Sequence, residues 1–115
     1  MAVKIAKRDQ LVYAGQVSAL GDTTIVAAVA GKTIAIDGYA LELRAAVATT
    51  ALLKDGASGG KGTLAREDGS AIGDMRKVPI LFNEGSWPLL TVGTALVINL
   101  SAAQAVNVHV WYHLE

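Results

Sequence analysis

The C-terminal part of the chain alternates apolar side chains with other side chains at a period of two. This alternation is typical of a β-strand, in which successive side chains point to opposite faces. It predicts a strand over Val106–Leu114, and a similar alternation predicts a strand over Leu96–Leu100. We expect Ser101–Gln104 to form the turn that joins these two strands into a hairpin. The apolar positions of the last strand are Val106, Val108, Val110, Tyr112 and Leu114.

Glycines divide the rest of the chain into short apolar runs with turn residues between them. Such runs at intervals of roughly 8–12 residues are typical of an antiparallel β-sandwich or a barrel. Thr23–Val29 and Lys32–Ile36 predict a second hairpin, in which Gly31 supplies a positive φ. Met75–Phe82 predicts another strand, and Pro79 within it favours a position at the edge of a sheet.

The segment Leu41–Leu53 has a helical alternative. Its alanine and leucine content suits a helix on propensity alone. Its β-branched residues, such as Val47, and the absence of a helix cap before Tyr39 favour strands instead. We therefore expect one strand from Tyr39 to near Val47 and a short one over Thr49–Leu53, in an all-β fold of roughly eight short strands.

The chain has 115 residues, which is enough for one domain, and we expect a single β-sandwich over residues 1–115. Residues 1–10 show no strand pattern and are expected to form an extended N-terminal arm. Loops rich in glycine and charge are expected over Asp55–Gly62 and Ala57–Gly73. No signal peptide is expected, because the basic residues near the start are followed by Asp9 and Gln10 and not by an apolar run.

Charge and composition argue against several classes of partner. The chain has 10 basic and 10 acidic residues, so it gains little from neutralising phosphates and we expect no nucleic acid as partner. No membrane insertion is expected, because the longest apolar run, Ile25–Ala30, is far shorter than the ~20 residues that span a bilayer. The chain has no cysteine and therefore no disulfide. Its mean hydropathy of +0.41 indicates apolar surface that a homo-oligomer (dimer or trimer) or a docked state would cover.

The motifs that would indicate a nucleotide or a metal are incomplete. Gly60 and Lys61 match part of a phosphate-binding loop, but Asp55 stands where that motif needs its first glycine. His109 and His113 share a strand face about 13 Å apart, too far for one metal ion whose bonds to nitrogen are about 2 Å long. We therefore expect no cofactor and no metal site, and we expect both histidines to face solvent or an interface.

Catalytic groups are not recognisable in the sequence either. Ser86 lacks the second glycine of the G-x-S-x-G nucleophile motif. The aspartates occur singly, at positions that turn chemistry explains. We therefore expect no catalytic residue, and a protein that binds rather than one that catalyses a reaction. These aspartates are Asp22, Asp37, Asp55, Asp68 and Asp74.

The two tryptophans have different expected roles. Trp111 lies among the outward positions of the last predicted strand, where it either packs on a second layer or anchors a partner. Trp87 precedes Pro88 in a connection, and we expect it to pin that connection onto the sandwich.

Two patterns in the chain resemble small structural proteins of tailed bacteriophages. They are TIVAAVAGKTIAI at Thr24–Ile36 and GTALVINLSAA at Gly93–Ala103, with Trp87 ahead of the second and a valine-rich strand after it. The resemblance extends from about Thr23 to Tyr112 and departs from the pattern over Ala57–Gly73. It implies a jelly-roll-like sandwich that acts as a capsid decoration (cement) protein or as a domain of a head fibre or tail appendage.

A decoration protein would bind the major capsid protein of the same virion, on the outer surface of the capsid, after assembly in the host cytoplasm. The arm would then meet an acidic capsid surface through its basic residues, and residues near the C-terminus would add contacts. The alternative is a receptor- or glycan-binding module of a phage fibre, spike or tail appendage, suggested by Trp111, Tyr112 and the two histidines. The expected contact residues are Lys4, Lys7, Arg8, Trp111, His109 and His113.

Overall fold

A computed structural model describes residues 10–57 and 62–115, and every helix or strand within these ranges is a β-strand. The prediction of an all-β chain of about eight strands is confirmed, and the helical alternative for Leu41–Leu53 is wrong. The predicted N-terminal arm lies outside the described residues except for Gln10. The strands are β1 (Leu11–Val17), β2 (Gly21–Val26), β3 (Ile34–Leu43), β4 (Thr49–Asp55), β5 (Gly62–Gly69), β6 (Ile80–Leu81), β7 (Leu96–Leu100) and β8 (Val106–Leu114).

The strands form two antiparallel four-stranded sheets that pack as a sandwich. Sheet A has the order β1-β8-β3-β6, and sheet B has the order β2-β7-β4-β5. The first strand pairs with the eighth, the second with the seventh, the third with the sixth and the fourth with the fifth. This is the pairing of one long hairpin rolled into a sandwich, which defines a jelly roll. The jelly-roll-like prediction is confirmed.

Both predicted hairpins are wrong. β7 and β8 belong to different sheets, so Ser101–Gln104 carries the chain from sheet B to sheet A. β2 and β3 are divided between the sheets in the same way, although Gly31 between them has the predicted positive φ of 75°. An alternating pattern shows which side chains face the core, but it is the same for either sheet, so it could not identify the strand's neighbour.

Other boundaries differ from the prediction where the pattern is weak. β1 was not predicted, and β5 replaces part of the loop expected over Ala57–Gly73, because most of their side chains are exposed or half-buried and leave little apolar alternation. β6 is only Ile80–Leu81, but its predicted position at a sheet edge is confirmed.

The core lies between the two sheets and is almost wholly aliphatic. Burying one such side chain contributes about 1.5–3 kcal/mol to folding. At the end where β5 and β6 form the sheet edges, the hydroxyl of Tyr39 in sheet A donates to Glu67 in sheet B at 2.7 Å. The largest fully buried side chains are Ile34, Ile36, Leu41, Leu43, Leu53, Leu96, Ile98, Leu100, Val97, Val106, Val108 and Val110.

Candidate functional site

A β-bulge in β3 places the side chain of Asp37 on the outer face of sheet A. The register between β3 and β8 shifts between Ile36 and Gly38, so Asp37 is an extra residue in the ladder. A bulge of this kind redirects a side chain out of its regular position. A Cβ atom at Gly38 would lie 2.6 Å from the carbonyl oxygen of Ile80, so the glycine is what allows β6 to approach the bulge.

The connection between β6 and β7 runs along the free edge of β3. The Phe82 amide donates to the Asp37 carbonyl at 2.8 Å, and the Leu90 amide donates to the Ile34 carbonyl at 3.0 Å. Its other end is fixed to sheet B, because the amide and hydroxyl of Thr91 both donate to the buried carboxylate of Asp55. The connection is therefore an ordered part of the sandwich.

Trp87, on this connection, covers His113 on the outer face of sheet A. The two rings meet edge to face with centroids 4.5 Å apart. His113 is only 2% exposed; its Nδ1 lies 2.8 Å from Asp37 Oδ1 and its Nε2 lies 2.9 Å from Glu115 Oε2. The Gln10 amide donates to the other Asp37 oxygen at 3.0 Å. Hydrogen bonds to Gln10 and His113 thus fix the Asp37 carboxylate, and the His113 ring packs against Trp87.

A groove with a volume of about 450 Å³ opens beside this cluster. Its walls combine aromatic and aliphatic side chains with two carboxylates and one amide, and no described Lys or Arg lines it. The ring of Trp111, which forms part of the wall, is stacked on His109 with centroids 5.9 Å apart and planes 22° apart. The lining residues are Gln10, Asp37, Pro79, Leu81, Phe82, Glu84, Trp87 and Trp111.

The middle of the outer face of sheet A is apolar, whereas the end that carries Gln16, Asn107 and Glu42 is polar. On β1, Val12 lies opposite Trp111 and Ala14 lies opposite His109, which in turn faces Ala40 of β3. Val12 is 54% exposed, and Ala14 and His109 are also exposed. None of these five side chains is a Lys, Arg, Asp or Glu. The middle of this face is therefore a surface that water solvates poorly.

The outer face of sheet B is polar and internally paired. The Lys54 ammonium lies 3.1 Å from Asp22, and the Asn99 amide donates to the same carboxylate at 2.7 Å. These two hydrogen bonds, with Asn99 contributing most, lower the pKa of Asp22. On the neighbouring strands, Asp68 accepts hydrogen bonds from Thr50 and Arg66, which lower its pKa in the same way.

The four edge strands differ in how well they are protected against pairing with another chain. β6 has only two residues and follows Pro79, β5 carries Arg66 and two carboxylates, and β2 contains a bulge. Short length, proline, charge and bulges all discourage strand addition. β1 has seven residues and none of these features, so it is the least protected edge.

The predicted contact residues have different environments. Lys4, Lys7 and Arg8 lie outside the described residues. His109 and Trp111 are neighbours on the outer face of sheet A, and neither is inside the core. The expectation that His113 faces solvent or an interface is wrong, because the connection carrying Trp87 buries it within the chain itself.

The role expected of Trp87, fixing its connection to the sandwich, is confirmed by its contact with His113. The expectation that the aspartates lie in turns is wrong for four of them, since Asp22, Asp37, Asp55 and Asp68 lie in strands. Asp74 does lie in a turn, where the amides of Ser70 and Ala71 donate to it and lower its pKa.

Sequence reasoning missed the contribution of Asp37, Glu84 and Gln10 to the groove. They are distant in sequence from Trp111 and come together only through the β3–β8 register and the β6–β7 connection.

Within residues 10–57 and 62–115, no group of three or more His, Asp or Glu side chains is placed to hold a metal ion. The described part of the chain also has no helix long and apolar enough to cross a membrane.

The chain has a weak likeness to a solved viral structure. The virus-like particle of the extra small virus of the giant freshwater prawn Macrobrachium rosenbergii, solved by cryo-electron microscopy, matches with a TM-score of 0.42 and 12% identity. The match covers 97% of this chain and 84% of that chain. At this TM-score the likeness carries no argument about function. No family model matches the chain, and no curated protein matches it.

Proposed function

We propose that this chain is a non-catalytic virion structural protein that decorates a tailed-phage capsid and stabilises it by binding the assembled shell of major capsid protein. The observation that carries the proposal is the combination of the least protected sheet edge, β1, with the apolar middle of the outer face of sheet A. Its place in this proposal is the outer surface of the capsid, reached after assembly in the host cytoplasm.

The β1 edge offers main-chain groups to an added strand. Within the described residues β1 pairs only with β8, which leaves its other side without a strand neighbour. Strand addition to such an edge gains affinity from main-chain hydrogen bonds, and alternate side chains supply specificity. Val12 and Ala14 are the β1 side chains that would face such a partner on the outer face of sheet A.

Decoration also gives a physical reason for apolar surface on a small domain. A protein that binds only the assembled shell stabilises that shell by mass action. Many copies held by one symmetric particle make weak individual contacts effective. In the same proposal the chain forms a dimer or trimer on the shell, and Lys4, Lys7 and Arg8 meet acidic capsid residues.

The fold agrees with this function but does not select it. Jelly rolls occur in viral capsid domains, in lectin domains and in cupins, and one fold serves many functions. The proposal therefore depends on the surface of sheet A and on the resemblance of the two sequence patterns to phage structural proteins.

The experiment is to purify virions free of unbound protein and to count copies of this chain per shell subunit by quantitative mass spectrometry. We expect a stoichiometry near that of the shell subunit. A handful of copies confined to the tail would contradict decoration. Wild-type particles should also resist heat better than particles from which this chain has been deleted.

A further inference from the structure

The groove on sheet A combines aromatic side chains with a few polar groups. Its aromatic lining includes Trp87 and Trp111, which are both half-buried. The polar groups beside them are the carboxylates of Asp37 and Glu84 and the amide of Gln10. A small number of polar groups that orient a ligand within apolar walls is the usual composition of a small-molecule site.

The charge of the lining residues limits the class of ligand. Neither Lys nor Arg is among the described lining residues, and Glu84 forms no ion pair with a described residue. A phosphate or a carboxylate ligand would meet like charge from Asp37 and Glu84, and no described lining residue supplies a cation to offset it. The groove favours a ligand that donates hydrogen bonds and carries no negative charge.

The polar groups retain capacity to accept hydrogen bonds. Asp37 accepts one hydrogen bond on each oxygen, from His113 and from Gln10, whereas a carboxylate has about four acceptor sites. Its position is fixed by these partners and by its burial at 7% exposure. Glu84 is exposed and adds a second acceptor at the rim.

The aromatic walls are also held in place before any ligand arrives. Trp87 meets His113 edge to face, and Trp111 is stacked on His109. Groups that are already ordered lose little conformational entropy when they bind, so a preorganised site binds more tightly than a mobile one.

We propose that this groove binds a neutral saccharide. The C–H face of a hexose ring would pack on the indole of Trp111 or Trp87, while its hydroxyls donate to Asp37 and Glu84. A volume of about 450 Å³ lies at the lower end of the range for small-molecule sites, about 300–1,000 Å³, and suits a short oligosaccharide. This inference goes beyond shell binding and concerns the chain free of the shell, because the groove lies on the face of sheet A that shell binding would cover.

The test uses the full chain, free of any shell, on an array of neutral glucans, mannans and galactans. Sialylated and sulfated glycans and a Lys-rich peptide are included as other ligand classes. The best neutral glycan is then titrated while tryptophan fluorescence is recorded. We expect saturable binding with a change in fluorescence, and no binding to the anionic glycans.

Two groove variants and one matched control decide where the ligand binds. Trp111→Ala and Glu84→Ala should each weaken binding of that glycan at least about tenfold, which is ~1.4 kcal/mol. Glu42→Ala, on the same face of sheet A but outside the groove, should leave it unchanged, and circular dichroism checks that all three fold. No neutral glycan bound at concentrations on the order of 10 mM, or binding that both groove variants retain, would overturn the proposal. Preference for the Lys-rich peptide would also overturn it.

Discussion

The two outer faces of the sandwich are built from the same kind of strand and have opposite surface chemistry. On sheet B, charged side chains pair with one another: Asp22 of β2 with Lys54 of β4, and Asp68 with Arg66 of the same strand, β5. On sheet A, uncharged side chains take their place in the middle of the outer face, where Val12 lies opposite Trp111 and Ala14 lies opposite His109. This difference is the reason for proposing sheet A as the face that contacts another molecule, since the charged pairs of sheet B suit a face exposed to water.

The largest effect expected on stability separates the two histidines of β8. His113→Ala should lower the free energy of unfolding by about 3 kcal/mol. The substitution removes a hydrogen-bond partner of the buried Asp37 carboxylate, and it removes the ring that Trp87 packs against. His109→Ala, on the same strand and face but exposed, should cost less than about 1 kcal/mol. Urea denaturation followed by circular dichroism measures both. Equal losses of unfolding free energy in the two variants would contradict a stabilising role for the His113 cluster.

The second effect concerns the outer face of sheet A, which we propose binds the shell. Ala14→Lys places a charge in the apolar face of sheet A, and it should weaken shell binding at least about tenfold, since an unpaired ammonium is costly to bury. Thr24→Lys makes the matched change on β2, an edge strand of sheet B. It should bind like the wild type in a co-sedimentation assay with shells that lack this chain. A loss of binding in Thr24→Lys alone would reverse the assignment of the two faces.

The third effect concerns the hydrogen bond from Tyr39 of sheet A to Glu67 of sheet B. Burial, followed by its hydrogen bond to Glu67, raises the pKa of Tyr39 to about 12. The neutral hydroxyl is favoured in the folded state, so its contribution to stability is complete below about pH 10 and is lost as pH rises through 12. The alkaline loss of stability should be smaller in Tyr39→Phe. A titration at 295 nm in which all tyrosines ionise together near pH 10 would contradict this account.

The smallest effect is expected on the polar face. The pKa of Asp22 is lowered, so its contribution to stability is present above about pH 3.8, the ordinary value, and is lost as pH falls through the lowered pKa. Because this carboxylate is at the surface, Asp22→Asn should cost no more than about 0.5 kcal/mol at pH 7. The difference between variant and wild type should disappear in strong acid. A cost of several kcal/mol, measured by urea denaturation, would show that sheet B is not simply a solvated face.

Much of the fold could be predicted from the sequence because β-sandwich cores have a local pattern. The alternation at Val106–Leu114 identified β8 with its observed bounds, and Leu96–Leu100 identified β7. The same alternation could not show that these strands lie in different sheets, since inward side chains meet one core from either side. β1 and β5, whose side chains are mostly outside the core, gave no such pattern.

The candidate groove could not be predicted because no local pattern describes it. Asp37 reaches His113 only through a bulge in β3, and Trp87 covers His113 only because its connection follows the free edge of that strand. The sequence marked Trp111 as a possible partner anchor but gave no sign of its neighbours. A one-residue change of register would have placed these side chains apart.

The most direct test of the central claim is a cryo-electron microscopy map of the particle that carries this chain, at a resolution that orients the sandwich. We predict that β1 and the outer face of sheet A lie against the shell, with the charged pairs of sheet B exposed to solvent. A map in which sheet B rests on the shell and β1 is free would contradict the account.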